Sequence, residues 1–155
     1  MRIVPKKGVI VSNITPREIN DGYQVRELPE PFIIRTCGRD IDRDRLGYYR
    51  DAFRAMAVAK GDEETFQMDY SLHRLIIERC QNRFLVQLLN MGFDQTHRIR
   101  VLSGKLRRRL EDTRKEHLRI VELLLASRLD AAARAMAQHL ERSKRAAFDS
   151  LYGGG

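Results

Sequence analysis

At 155 residues and 18.1 kDa the chain fits a single hydrophobic core, well below the ~250 residues at which cores usually split. Its 43% hydrophobic content excludes a disordered chain, and 32% charged residues with no apolar run near ~20 residues exclude a membrane span. Lys and Arg number 29 against 21 Asp and Glu, a net charge of +8; the two cysteines, Cys37 and Cys80, form neither a disulfide framework nor a CxxC metal pair. With no apolar stretch of a signal peptide at the N-terminus, a reducing, cytoplasmic setting is the expectation.

Ile3-Val4 and Val9-Ile10-Val11 flank the turn composition Pro5-Lys6-Lys7-Gly8 and predict a β-hairpin, the only strand content expected. Thr15-Pro16-Arg17-Glu18 combines an N-cap, a proline at the first helical position and a capping-box glutamate, which predicts a helix from residue 16. Pro29 and Pro31 interrupt it, and Phe32 to Ile34 resume it as far as Gly38. Leu46, Tyr49, Phe53 and Met56 recur at helical spacing between Asp40 and Lys60, and a further helix is expected from about Glu63 to Cys80. Asn82 is placed to cap the next one, whose apolar residues lie on several sides, as a central helix or a subunit contact requires. Thr113-Arg114-Lys115-Glu116 reads as a second capping box, and Asp130 as the cap of an Ala-rich last helix that ends before Gly153. The expected fold is all-α: an antiparallel helical bundle over residues 15–152, with a hairpin remnant at 1–14 and a glycine tail at 153–155 that reads as a cloning scar.

Most of the surplus charge is local. Arg98, Arg100, Lys105, Arg107, Arg108, Arg109, Arg114, Lys115 and Arg119 stand against Glu111, Asp112 and Glu116, a net +6. Such a run can meet nucleic acid or an acidic partner, but with no aromatic for stacking it reads as a solvated loop and helix face.

Asp69 and His73, four residues apart, project from one helical face about 6 Å apart along the axis. That face also carries Phe66, Ile76, Ile77 and Cys80, whereas Gln67, Ser71, Arg74 and Glu78 lie opposite. A carboxylate on a buried stripe requires a partner, because an unpaired ion there costs several kcal/mol. His117 shares a stripe with Ile120, Val121 and Leu124, and His139 shares one with Ala132, Ala135, Met136 and Ala146, so both imidazoles are expected to point inward. Three histidines and one aspartate then converge on one interior, leaving only His97 outside. Imidazole and carboxylate suit Zn, Ni, Co, Mn or Fe(II). A hydrogen-bonded Asp-His core pair with two unrelated histidines is the alternative.

The pattern Asp69-Tyr-Ser-Leu-His73, Asn82, Glu116-His117-Leu-Arg-Ile-Val and Asp130-Ala-Ala-Ala-Arg-Ala-Met-Ala-Gln-His139-Leu resembles the FCD effector-binding domain of GntR-type transcription regulators, the FadR subfamily. Residues 3–11 look like the wing hairpin of the winged helix-turn-helix that precedes this domain, and Tyr23 to Pro31 look like its first helix. The resemblance implies a divalent metal, zinc first, held by Asp69, His73, His117 and His139, and a small carboxylate bound against it. Arg26 matches the first-helix arginine that faces the acid, a role its bidentate fork suits. It also implies a homodimer, since regulators of this kind bind paired half-sites. Leu72 replaces a common Phe before the histidine, and Pro29 is unusual for the family. The helices that precede the wing, including the recognition helix, are absent from the sequence, so specific DNA contact is expected only through those missing elements. No membrane partner is expected.

Two other readings compete with this sensor, which is not an enzyme. One is a metal-dependent hydrolase with Glu116 as base; adjacent residues on a helix point about 100° apart, which makes Glu116 a poor neighbour for a metal on the His117 face. The other is a structural dimerisation domain that keeps the histidines and binds nothing.

Overall fold

The N-terminal capping box forms as the sequence dictates. In the computed structural model, which describes residues 13–56, 62–103 and 109–153, the Glu18 backbone N–H donates to Thr15 Oγ1 at 3.2 Å and the Thr15 N–H to Glu18 Oε2 at 2.7 Å. From this cap α1 runs Pro16–Glu27 and α2 Pro29–Cys37. Leu28 alone separates them, because Pro29 has no N–H to continue the ladder. A 3-10 turn at Gly38–Asp40 leads to α3 (Arg43–Ala55), which Asp42 caps through the N–H groups of Asp44 and Arg45. Then come α4 (Asp62–Ile77), α5 (Arg83–Ser103), α6 (Leu110–Leu125) and α7 (Leu129–Tyr152). Asn82 caps α5 by accepting from the N–H groups of Phe84 and Leu85. The expected hairpin falls almost wholly on residues 1–12, outside the described residues, among which there is no strand. Ile14 is buried beside Ile19, Tyr23, Ile99 and Ala147.

Two expected caps are not caps. Helix α6 begins at Leu110, so Thr113 lies within its first turn, and acidic Glu111 and Asp112 occupy the positive end of the dipole. Asp130 lies inside the first turn of α7 and pairs with Arg35, while Arg128 holds the N-cap position without a side-chain bond. A Thr-x-x-Glu spacing also fits a helix interior, and the chain before Thr113 is helix-compatible.

Each helix buries one stripe. Leu46, Tyr49 and Phe53 of α3, Leu72, Leu75 and Ile76 of α4, Ile120, Val121 and Leu124 of α6, and Ala132, Ala133, Met136 and Leu140 of α7 form one continuous core. Only residues 126–128 join α6 to α7, and the two pack together, so they run antiparallel. The chain reverses there through Ser127 at φ 56°, with the Ser127 N–H on the Leu124 carbonyl and the Arg128 N–H on that of Leu123, the bonding of a Schellman end. Helix α1 lies against α5 across two glycines: a Cβ on Gly22 would meet Gln95 Cγ at 2.8 Å, and one on Gly92 would meet Arg26 Cγ at 3.0 Å. This close approach seats Arg26 inside the bundle. No helix among the described residues is long and apolar enough to cross a membrane.

Candidate metal centre

Helix α4 carries Asp69 and His73, α6 carries His117 and α7 carries His139; all four are buried, and each turns one ligand atom to a common point where these atoms lie within 4.8 Å of one another. Asp69 Oδ1 is the hub. From it His117 Nε2 is 3.0 Å away, His73 Nε2 3.5 Å and His139 Nε2 4.0 Å, and the His117 and His139 Nε2 atoms are 3.1 Å apart. The antiparallel α6–α7 pair brings the last two face to face. Phe53 packs on the His117 ring and Phe93 on that of His73, an apolar wall that keeps the cluster dry.

The outer atoms of the cluster are held as firmly as the inner ones. His73 Nδ1 donates to Glu30 Oε2 at 2.5 Å and His139 Nδ1 to Glu116 Oε2 at 2.8 Å. Each bond fixes the tautomer that leaves Nε2 as an inward lone pair, the second-sphere arrangement of metal-ligating histidines. On the aspartate, the Arg100 guanidinium takes Oδ2 at 2.5 Å and leaves Oδ1 to the histidines. His73 Nε2 is buried and makes no hydrogen bond among the described residues. A ligand-capable lone pair left without a donor at this depth costs free energy that a cation would recover.

The electrostatics favour ligand protonation states. Burial pushes His139 down to about 3, reinforced by the neighbouring His117, and burial likewise lowers His117, so both rings are neutral at neutral pH. Burial alone would raise Asp69, but Arg100 and His117 outweigh it and hold the carboxyl well below the usual range. Burial opposes ionisation of Glu30 too, yet His73 and Arg26 bring it to about 2. The charge of Glu30 raises His73 against the effect of burial, the one ring whose proton a cation would have to displace.

The four residues expected from helical periodicity are thus brought together, and His97 stays exposed outside them. Arg26 is 4% exposed and pairs within the protein: Nε donates to Glu30 Oε1 at 2.8 Å, Nη1 donates to Thr96 Oγ1 at 3.1 Å, and the guanidinium lies 4.8 Å from the Phe93 ring centroid. It lines a small cavity with Asp69, His73 and Arg100, and reaches His73 through Glu30. Sequence reasoning missed Glu30, Arg100 and the role of Glu116. A lone charge inside Pro29-Glu30-Pro31-Phe32-Ile33-Ile34, four residues after Arg26, was the available signal for the first. Glu116 closes no capping box; it joins His139 to Arg109 and Arg142. Much of the basic run is neutralised locally, by Arg98 with Glu18, Arg100 with Asp69, Arg109 with Glu116, and Arg114 with Glu111.

Comparison with known proteins agrees with this architecture. The family model for the FCD domain matches residues 21–142. The uncharacterized HTH-type transcriptional regulator YdhC of Bacillus subtilis (strain 168) is 23% identical over 152 residues, an alignment covering 90% of this chain and 68% of the relative. Among solved structures, the metal-free FCD domain of TM0439 superimposes with a TM-score of 0.78 at 18% identity, covering 92% of this chain and 100% of that one.

Proposed function

The chain belongs to the FCD domain family, and from that premise we propose that it is the sensing domain of a transcriptional regulator, holding a divalent metal through Asp69, His73, His117 and His139 and a small carboxylate beside it. The observation that carries the reading is the convergence of three Nε2 atoms on Asp69 Oδ1, with His73 Nε2 lacking any hydrogen-bond partner among the described residues. When bound, the metal would offer an acid's oxygen a coordination position, since four protein ligands do not fill a six-coordinate shell. The remaining work falls to this chain. Glu30 and Glu116 orient His73 and His139, Arg100 limits Asp69 to one inward oxygen, and Phe53 and Phe93 exclude water. Arg26 supports the acid site from the wall it shares with Asp69 and His73.

Zinc is the first choice for a set of three imidazoles and one carboxylate, with Ni, Co, Mn and Fe(II) open to the same ligands. Catalysis has no support in the geometry: Glu116 sits on the outer nitrogen of His139, away from the point where the ligands meet. Helix α5 leaves Phe84 67% and Met91 68% exposed, with Leu88 between them on the same face, which supports a homodimer. Cys37 and Cys80 are both free, in keeping with the cytoplasm. Elemental analysis of protein purified without chelator tests the reading. One equivalent of divalent metal, lost in His117→Ala, is the expected result, and a metal-free preparation that takes up no added zinc refutes it.

A further inference from the structure

The charged groups buried around the four candidate ligands pair one to one: Arg26 with Glu30 at 2.8 Å, Arg100 with Asp69 at 2.5 Å, and Arg109 with Glu116 at 2.7 Å. Further out, Lys144 with Glu27 and Arg114 with Glu111 are also neutral pairs. The site is therefore electrically balanced before any cation enters it. A divalent cation held by Asp69 and three neutral imidazoles adds two positive charges that none of these pairs offsets, and uncompensated charge at such depth is expensive.

A second observation shows where the compensation would bind. Beside the ligands lies a cavity bounded by Tyr23, Asp69, Arg100, Arg109, His139 and Ser143. On its wall, Arg109 Nε is shielded from solvent and has no hydrogen-bond partner among the described residues, although Nη2 of the same guanidinium is engaged by Glu116. A guanidinium N–H left empty in a covered cavity matches a carboxylate oxygen in charge and geometry.

We infer that the ligand of this site is a short dicarboxylate, with one carboxylate beside Asp69 on the cation and the other on Arg109 Nε–H. The inference rests on the metal-binding reading and adds the class of acid and the arginine that selects it. A monocarboxylate leaves one positive charge unmatched and Arg109 Nε still empty. Inorganic phosphate carries its charge on one centre and cannot span both groups.

The test uses zinc-loaded protein whose stoichiometry is first measured by elemental analysis. It is titrated calorimetrically, at constant ionic strength, with malonate, succinate and glutarate, with butyrate as the monocarboxylate matched to succinate in length, and with inorganic phosphate. The expected result is that one of the dicarboxylates binds at least about tenfold more tightly than butyrate and than phosphate. Arg109→Gln is expected to erase most of that preference. Equal affinity for dicarboxylate and butyrate, tighter binding of phosphate, no binding of any dicarboxylate, or an undiminished preference in Arg109→Gln overturns the inference. Should Arg109→Gln fail to fold, Arg109→Lys keeps the charge and removes the Nε–H, and it too is expected to lower the preference. Protein that takes up no zinc at the first step overturns the metal-binding reading itself, a failure distinct from that of any acid to bind.

Discussion

Asp69 shows how several weak constraints produce one ligand atom. Helix α4 points the carboxylate inward, Arg100 occupies Oδ2, and what remains is Oδ1 facing three Nε2 atoms. The histidines are restricted in the same way from their outer sides, so removing an outer partner is expected to act on the metal without touching a ligand. Glu116→Gln replaces a charged acceptor with a neutral one at His139 Nδ1 and is expected to weaken zinc binding about tenfold, read by competition with a chromogenic chelator while the helical circular dichroism stays unchanged. The same residues set a pH dependence in the metal-free protein. His139 titrates near 3 and His117 is also lowered, whereas both unfold to 6.5, so below that value the unfolded chain binds more protons and stability falls as pH falls. His73 is raised and works in the opposite sense, its contribution being lost as pH rises. With two lowered rings against one, and with Glu30 and Glu116 each near 2 adding to the loss further down, the urea midpoint is expected to decline steadily from about pH 6.5 towards acid. A midpoint that stays level or rises over that range would contradict the assignment of neutral, buried His117 and His139.

At the scale of elements, the helix ends separate what local chemistry specifies from what it tolerates. Thr15, Asp42 and Asn82 are caps with their bonds in place. The α6–α7 reversal instead puts Ser127 at φ 56°, where a Cβ is disfavoured and no sequence signal marks a helix end. Ser127→Gly relieves that position and is expected to raise stability by about 0.5–1 kcal/mol, the left-handed penalty less the entropy cost of glycine. Chemical denaturation measures it, and a destabilised variant would mean that Ser127 makes up its backbone cost elsewhere. The reversal matters to the site because it sets the register in which His117 meets His139.

For the molecule as a whole, metal and fold are linked. A ligand bound only by the folded state adds RT ln(1 + [L]/Kd), roughly 4 kcal/mol at a thousandfold excess over Kd, which for a chain of this length corresponds to a Tm shift on the order of 10 °C. Chelation is expected to lower Tm by about that much, and His117→Ala to remove most of the sensitivity; scanning calorimetry with and without chelator reads both. The exposed Phe84 and Met91 make a further demand, since an apolar α5 face of this kind calls for cover. Light scattering at micromolar concentration is expected to give the mass of a dimer, and a monomer there would assign the face to another partner.

The sequence by itself determined the helices and their inward faces, because a 3.6-residue period and the chemistry of Thr15, Pro16 and Asn82 are local properties. It placed Asp69, His73, His117 and His139 on buried stripes for the same reason: periodicity tells which side of a helix a residue occupies. It misjudged Thr113 and Asp130, whose spacing satisfies a cap pattern equally well inside a helix. Only the tertiary structure decided that the four stripes meet at one point, that Glu30 lies behind His73 and Glu116 behind His139, and that Arg26 is spent on Glu30 and Thr96 while Arg109 keeps a free donor. Those pairings join residues up to 70 positions apart, and they arise from how helices pack against one another rather than from any preference of the chain between them.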